Sequence, residues 1–320
     1  MFLTSCLCAL VVSKMHVTLD LIRSAGYNVF RCLIRLSREQ VNNFVNEFMQ
    51  LIDITPSYVK YVIRQDKPEF YEASLPQLFA HYQRFWASPG EYFYREEDEI
   101  LRRRELIGSR LAFLEERFLS QGLGLEAVVV VLFVGQGTSN GHAFPIDEKW
   151  VVWLPVESYP TPLCVDVFVA HELAHAVHYQ RQPEFFFETE AQKTNVFRQV
   201  VTEGIATLTS RQVLDIDEQQ ALWADYLPDD QIQRWYAECV RREAELLANV
   251  ARKLESSDED LFSYRGGEDV LKNRAGYYAA LRIIQRILDQ NRLALSELFT
   301  IDKQGFLRMI TASLAPYAVG

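Results

Sequence analysis

The sequence predicts an α+β fold, mainly helical around a small sheet. Two observations carry this. Two strand-like runs, "AVVVVLFVG" (127–135) and "EKWVVWLPV" (148–156), follow one another directly. Helical patterns lie before and after them, rather than alternating with strands as in βαβ units. The composition, 49% hydrophobic and 24% charged over 320 residues, supplies apolar surface for one large domain or two modest ones. The change in character near residue 125 divides the chain into a mostly helical N-terminal region, 1–124, and a C-terminal domain, 125–320.

The opening "MFLTSCLCALVVSKM" is apolar. No Lys or Arg precedes the run and no small-residue cleavage site follows it, so a signal peptide is not expected. A buried N-terminal segment and a natural start at Met15 both fit. "LSREQVNNFVNEFMQLI" (36–52) carries apolar residues at helical spacing behind Ser37 as N-cap, and Pro56 closes it. "SLPQLFAHYQRFWA" (74–87) and "REEDEILRRRELIGSRLAFLEERFLSQ" (95–121) predict two more helices. The second is laced with opposite charges, as solvent-facing helices are.

The β-branched run 127–135 predicts a buried strand. "GQGTSNGHAF" lacks the G-x-G-x-x-G spacing and precedes no helix, which excludes a phosphate cradle. Its Asn140-Gly141 pair predicts a hairpin turn. The second strand reaches Pro155, which suits a sheet edge. Thr161 and Pro162 predict the N-cap and first turn of a helix that runs to near Pro183. Further helices are expected over 188–214, 230–254 and 276–290.

A net charge of −10 spread along the chain disfavours a nucleic-acid partner. Arg102, Arg103 and Arg104 sit among Glu and Asp and read as a solvated face. The five cysteines are scattered without a Cys-x-x-Cys pair, which points to a reducing, cytoplasmic setting. No apolar run is long enough for a membrane span.

The chemistry concentrates in "FVAHELAHAVHYQ" (168–180). A helix turns about 100° per residue, so His171 and His175 lie about 40° apart in azimuth and one turn apart in height. Both imidazoles can reach one metal ion. Glu172 sits roughly 60° further round, too far to be a third ligand but placed to contact water on the metal. This pattern reads as Zn²⁺ held by two imidazoles, with Glu172 as general base.

Zinc then needs another protein ligand. His178 lies about 10 Å along the axis from His171 and cannot share the ion unless the helix breaks, so it is a packing or capping residue. Glu184, Glu188 and Glu190 follow near Pro183. Glu203 instead interrupts a surface of Val200, Val201, Ile205, Ala206 and Leu208. A lone acid there is costly unless paired or metal-bound, and Gly204 and Ala206 leave room for close helix packing. Glu203 is the expected third ligand. A substrate peptide is expected along Trp150–Leu154, if that strand is a free edge.

H-E-L-A-H followed by T-E-G-I-A on the next helix resembles the gluzincins, the H-E-x-x-H plus Glu zinc metalloproteases. More narrowly it resembles a bacterial family of predicted Zn-dependent proteases, which share H-E-x-x-H, E-G-x-A and a G-Y-x-x-G-like patch before a late helix. "NRAGYYAALRIIQRIL" (273–288) stands at that place, with Ala280 where a second glycine is common. Residues 1–120 lie outside the resemblance.

The resemblance implies a zincin-like metallopeptidase domain acting on a peptide or protein. It implies zinc on His171, His175 and Glu203, and a tyrosine that donates to the developing oxyanion. Tyr277 is the candidate for that donor, with Tyr278 behind it. Arg274 is either an anchor for a substrate carboxylate or carbonyl, or a cap on a neighbouring element. Some gluzincins carry an acid four residues after the ligand Glu; Thr207 stands there and leaves the second shell of the histidines unassigned. The alternatives are a zinc-dependent hydrolase of another amide or ester, and a non-catalytic zincin-like binding or regulatory protein. The intact Glu172 argues against the last.

Overall fold

The computed structural model describes residues 49–86, 92–147, 149–258, 260–264, 269 and 272–318. The apolar start, Cys6, Cys8, Cys32 and most of the helix expected over 36–52 lie outside the described residues. Met49–Gly320 forms one compact unit.

Four strands, β1 (Gln50–Asp53), β2 (Val128–Phe133), β3 (His142–Ile146) and β4 (Lys149–Pro155), form one mixed sheet in the order β1-β2-β4-β3. All six residues of β2 are buried, as its unbroken β-branched sequence requires. β2 pairs in parallel with β1 and with β4, and β3 runs antiparallel to β4. Residues on both sides of the 124/125 division therefore share one sheet.

Three local expectations give way. The end of the helix expected over 36–52 is β1 instead, because pairing of Gln50–Asp53 with Val129–Leu132 overrides helical propensity. Asn140-Gly141 is not a hairpin turn, since β2 and β4 are parallel; the hairpin joins β3 to β4 beside Asp147, whose φ is 54°. Trp150–Leu154 is not an edge, because β4 is bonded to β2 on one side and β3 on the other.

The longer helices are α1 (Pro76–Phe85), α2 (Glu97–Ser120), α3 (Pro162–Arg181), α4 (Val196–Leu214), α5 (Asp229–Arg241), α6 (Glu243–Lys253), α7 (Ala275–Asn291) and α8 (Lys303–Leu314). α3 starts as expected: Thr161 Oγ1 accepts from the Cys164 N–H at 3.1 Å, with Pro162 in the first turn. Nearly every residue from Cys164 to Tyr179 is buried, because α3 lies against the sheet, α2 and α4. The Arg110 guanidinium on α2 clamps Asp166 on α3 through two bonds of 2.7 and 2.6 Å.

The helix expected over 188–214 is a short turn at Glu190–Lys193 followed by α4. Asn195 makes the break, its Oδ1 accepting from the Arg198 N–H at 2.9 Å. The stretch 230–254 likewise divides into α5 and α6 around Arg242. α4 packs between α3 and α7. On the α7 side a Cβ on Gly204 would lie 2.8 Å from the Ala280 carbonyl oxygen and 2.5 Å from Ile284 Cγ1. Gly204 is thus what lets α4 and α7 touch backbone to backbone.

Gly204→Val is expected to force these helices apart and lower stability by about 1–3 kcal/mol. Gly108→Ala, inside α2 with no atom within 4 Å of the added Cβ, should instead stabilise by roughly 0.5–1 kcal/mol. Urea denaturation reads both; a Gly204→Val protein as stable as the parent would show that no such close approach exists.

Candidate metal centre

α3 presents His171 and His175 on one face, one turn apart, and α4 brings Glu203 up to them. His171 Nε2 stands 3.1 Å from Glu203 Oε2 and 3.1 Å from His175 Nε2, and His175 Nε2 is 3.4 Å from Glu203 Oε2. One donor atom from each residue lies within 4.8 Å of the others. His178 does not join them. It is wholly buried among Phe185, Phe299 and Phe306, and burial pushes its imidazole down to about 3.

The electrostatics follow from burying three polar groups together. Burial alone raises the Glu203 carboxyl, but the His175 charge and hydrogen bonds from both imidazoles outweigh it and hold it well below the usual range. Burial, with the nearby His175 charge, lowers His171 to about 4. His175 is driven the other way: burial opposes its charged form, yet Glu203 and Glu172 overcome that and raise it. The ring of His175 is steadied by Tyr179, stacked at 5.6 Å and 10°. Tyr179 Oη in turn accepts from the Arg198 guanidinium at 2.8 Å.

Glu172 lines the same cavity, of about 180 Å³, with Tyr277, Arg274 and the three clustered residues. Its carboxylate makes no hydrogen bond among the described residues, and burial lifts it to about 7. The chain reaches it from the sheet side at Gly141, where φ is 150° and a Cβ would stand 2.5 Å from Glu172 Cγ. The sheet edge nearest the cluster is therefore β3, whose first residue, His142, also lines the cavity.

Tyr277 and Tyr278 separate cleanly. The Tyr277 ring lies 6.1 Å from the His171 ring, and burial together with the Glu203 charge pushes its phenol well up, keeping the proton on. Tyr278 instead donates to Glu243 Oε2 at 2.6 Å, on the far side of α7. Sequence reasoning missed Gly141, His142 and Trp86 as lining residues. The turn signal at Asn140-Gly141 marked the place but not its purpose, and nothing in the sequence singled out Trp86.

Two imidazole nitrogens and one carboxylate oxygen within 4.8 Å of one another, the histidines buried and Glu203 partly so, form a donor set that fits zinc. The two Nε2 atoms face each other at 3.1 Å, and without a shared cation only a proton between them relieves their lone-pair repulsion. His175 Nδ1 is buried with no hydrogen-bond partner among the described residues, in keeping with Thr207 where an acid would orient it.

The fold and this cluster define a helical α+β protein with a His-His-Glu group able to hold one metal ion. Residues 131–308 match the family described as Predicted Zn-dependent protease (DUF2268), and the chain belongs to that family. No curated protein and no solved structure matches it. Among the described residues, no helix is long and apolar enough to cross a membrane.

Zinc titrated into metal-free protein should saturate at about one ion per chain. His175→Ala or Glu203→Ala should weaken binding by more than the roughly 10–100-fold typical of an outer-shell change, while Glu172→Gln should bind normally. Calorimetry with a competing chelator reads this; undiminished affinity in Glu203→Ala would remove Glu203 from the site.

Proposed function

We propose that the protein is a zinc-dependent peptidase in which His171, His175 and Glu203 hold the ion. The observation that carries this reading is the convergence of those three donors beside a carboxylate, Glu172, that has no hydrogen-bond partner among the described residues and lines the same cavity. The family description supports a peptide or protein as substrate. A zinc ion at this place lowers the pKa of water and polarises the scissile carbonyl.

The residues of the chain supply the rest. Glu172 takes the proton of the attacking water and hands it to the departing amine, and a carboxyl near neutrality serves both transfers. Burial and contact with the Gly141 segment fix its position, so its orientation does not have to be regained at each turnover. Tyr277 donates its phenolic proton in a hydrogen bond to the oxygen that gains charge; Arg274, 4.3 Å from its ring centroid, steadies the ring. The extended substrate runs along β3, the sheet edge beside the cavity. A cytoplasmic location is part of the same proposal, supported by Cys164 and Cys239, which are buried free thiols.

Glu172→Gln should retain zinc and lose about 10²–10⁴-fold in kcat. Tyr277→Phe should lose about 10²–10³-fold, and Tyr278→Phe should leave kcat unchanged. Digestion of a peptide library by the zinc-loaded protein, repeated with chelator, is the assay. Zinc-loaded protein that cleaves no peptide, or a Glu172→Gln variant of full activity, would contradict the reading.

A further inference from the structure

A second cavity, of about 530 Å³, adjoins the cluster and shares Trp86, Asn140, Phe168, Arg274 and Tyr277 with it. Its remaining wall combines the rings of Trp223, Phe262 and Tyr264 with polar residues that include Thr138, Ser139 and Ser158. Arg274 stands where the two spaces meet. Its guanidinium carbon lies 4.3 Å from the Tyr277 ring centroid and 4.8 Å from that of Trp223. Rings hold a guanidinium by its face and leave its N–H edge free for acceptors in the plane.

Among the described residues that edge has no acceptor. Among the described arginines that are not exposed, Arg274 alone makes no hydrogen bond or ion pair from its side chain. The others are all bonded; Arg110 to Asp166 and Arg282 to Glu243 are examples. In a chain of net charge −10, a half-buried guanidinium with no acid partner among the described residues is an unusual expense, because a partly desolvated charge is stabilised chiefly by a partner.

The surrounding backbone is held firmly. Arg274 itself has φ 61°, its N–H donates to the Ser263 carbonyl at 2.8 Å, and the Asn273 carbonyl accepts from Trp235 Nε1 at 2.6 Å. Two residues on, a Cβ at Gly276 would stand 2.7 Å from the Leu261 carbonyl oxygen, so this turn admits only glycine there.

We propose that Arg274 binds the terminal carboxylate of the substrate, and that the adjoining aromatic cavity receives the side chain of the last residue. A backbone carbonyl would satisfy one N–H and leave the charge uncompensated. A carboxylate accepts two parallel bonds from the fork and neutralises it. The rings of Trp223, Phe262 and Tyr264 favour a side chain that carries a ring of its own. Resting on the peptidase reading above, this makes the enzyme a carboxypeptidase that removes residues such as phenylalanine. The bond that breaks is the last peptide bond: water adds its hydroxyl to the acyl carbon, its proton goes to the leaving nitrogen, and a free amino acid departs.

The test uses the zinc-loaded full chain and two matched pairs of probes. Binding of N-acetyl-phenylalanine and of its amide is measured by calorimetry, and release of phenylalanine or its amide from peptides ending in the free acid or the amide is followed by mass spectrometry. The acid should bind roughly 10–100-fold more tightly than the amide, the range for hydrogen bonds to a charged group. Arg274→Gln should bring the acid down to the amide, and Arg274→Lys should restore part of the difference. Equal affinities in the parent, or an acid preference untouched by Arg274→Gln, would overturn the proposal. Equal cleavage of both peptides with equal binding would sink the Arg274 assignment and keep the peptidase. An Arg274-dependent binding preference with neither peptide cleaved would do the reverse.

Discussion

The site exists because α4 approaches α3 closely enough for a carboxylate on one helix to touch two imidazoles on the other. That approach is enforced from behind. Gly204, next in sequence to Glu203, gives up its side chain so that α4 can press on the Ala280 carbonyl of α7. Ser210 Oγ, two turns on, donates to the Val167 carbonyl of α3 at 3.1 Å. α4 is therefore gripped on both sides of the acid it carries. Without that grip, Glu203 would be a buried charge facing two partly desolvated rings, an arrangement that costs several kcal/mol per ion when poorly paired.

Around the cluster, each neighbour is held by something that does not itself touch the centre. Tyr179 stacks on His175 and is fixed by Arg198, whose Nε also donates to the Phe185 carbonyl at 2.8 Å. Gly141 lets the loop before β3 close on Glu172, and its neighbour His142 packs among Trp86, Trp153 and His81. On its sheet side the cavity is thus closed at Glu172 by the Gly141 segment. Under the proposed function, a change in that loop would reach proton transfer before metal affinity.

The helix carrying the histidines was legible to within a residue or two, since Thr161, Pro162 and Pro183 punctuate it with mechanisms that act locally. Glu203 was legible for a different reason: an acid among Val200, Val201 and Ile205 breaks a surface that otherwise must be buried. The sheet was not. A β-branched run announces burial but not its partner, so nothing in Val128–Phe133 says that it pairs in parallel with Lys149–Pro155. The hairpin expected at Asn140-Gly141 failed there, because a glycine of positive φ serves a tight approach as well as a turn. β1 has four residues and is specified by its neighbour rather than by its own sequence. Arg274 was visible, but its having no acid partner among the described residues is seen only in the folded chain.

If α3 and α4 hold one divalent cation between their three donors, diffraction from zinc-loaded crystals at energies on either side of the zinc absorption edge will locate it. A single anomalous peak is expected about 2.0–2.2 Å from Nε2 of His171, Nε2 of His175 and a carboxylate oxygen of Glu203. A peak elsewhere in the chain, or one at the two histidines with Glu203 turned away and another side chain in its place, would contradict it.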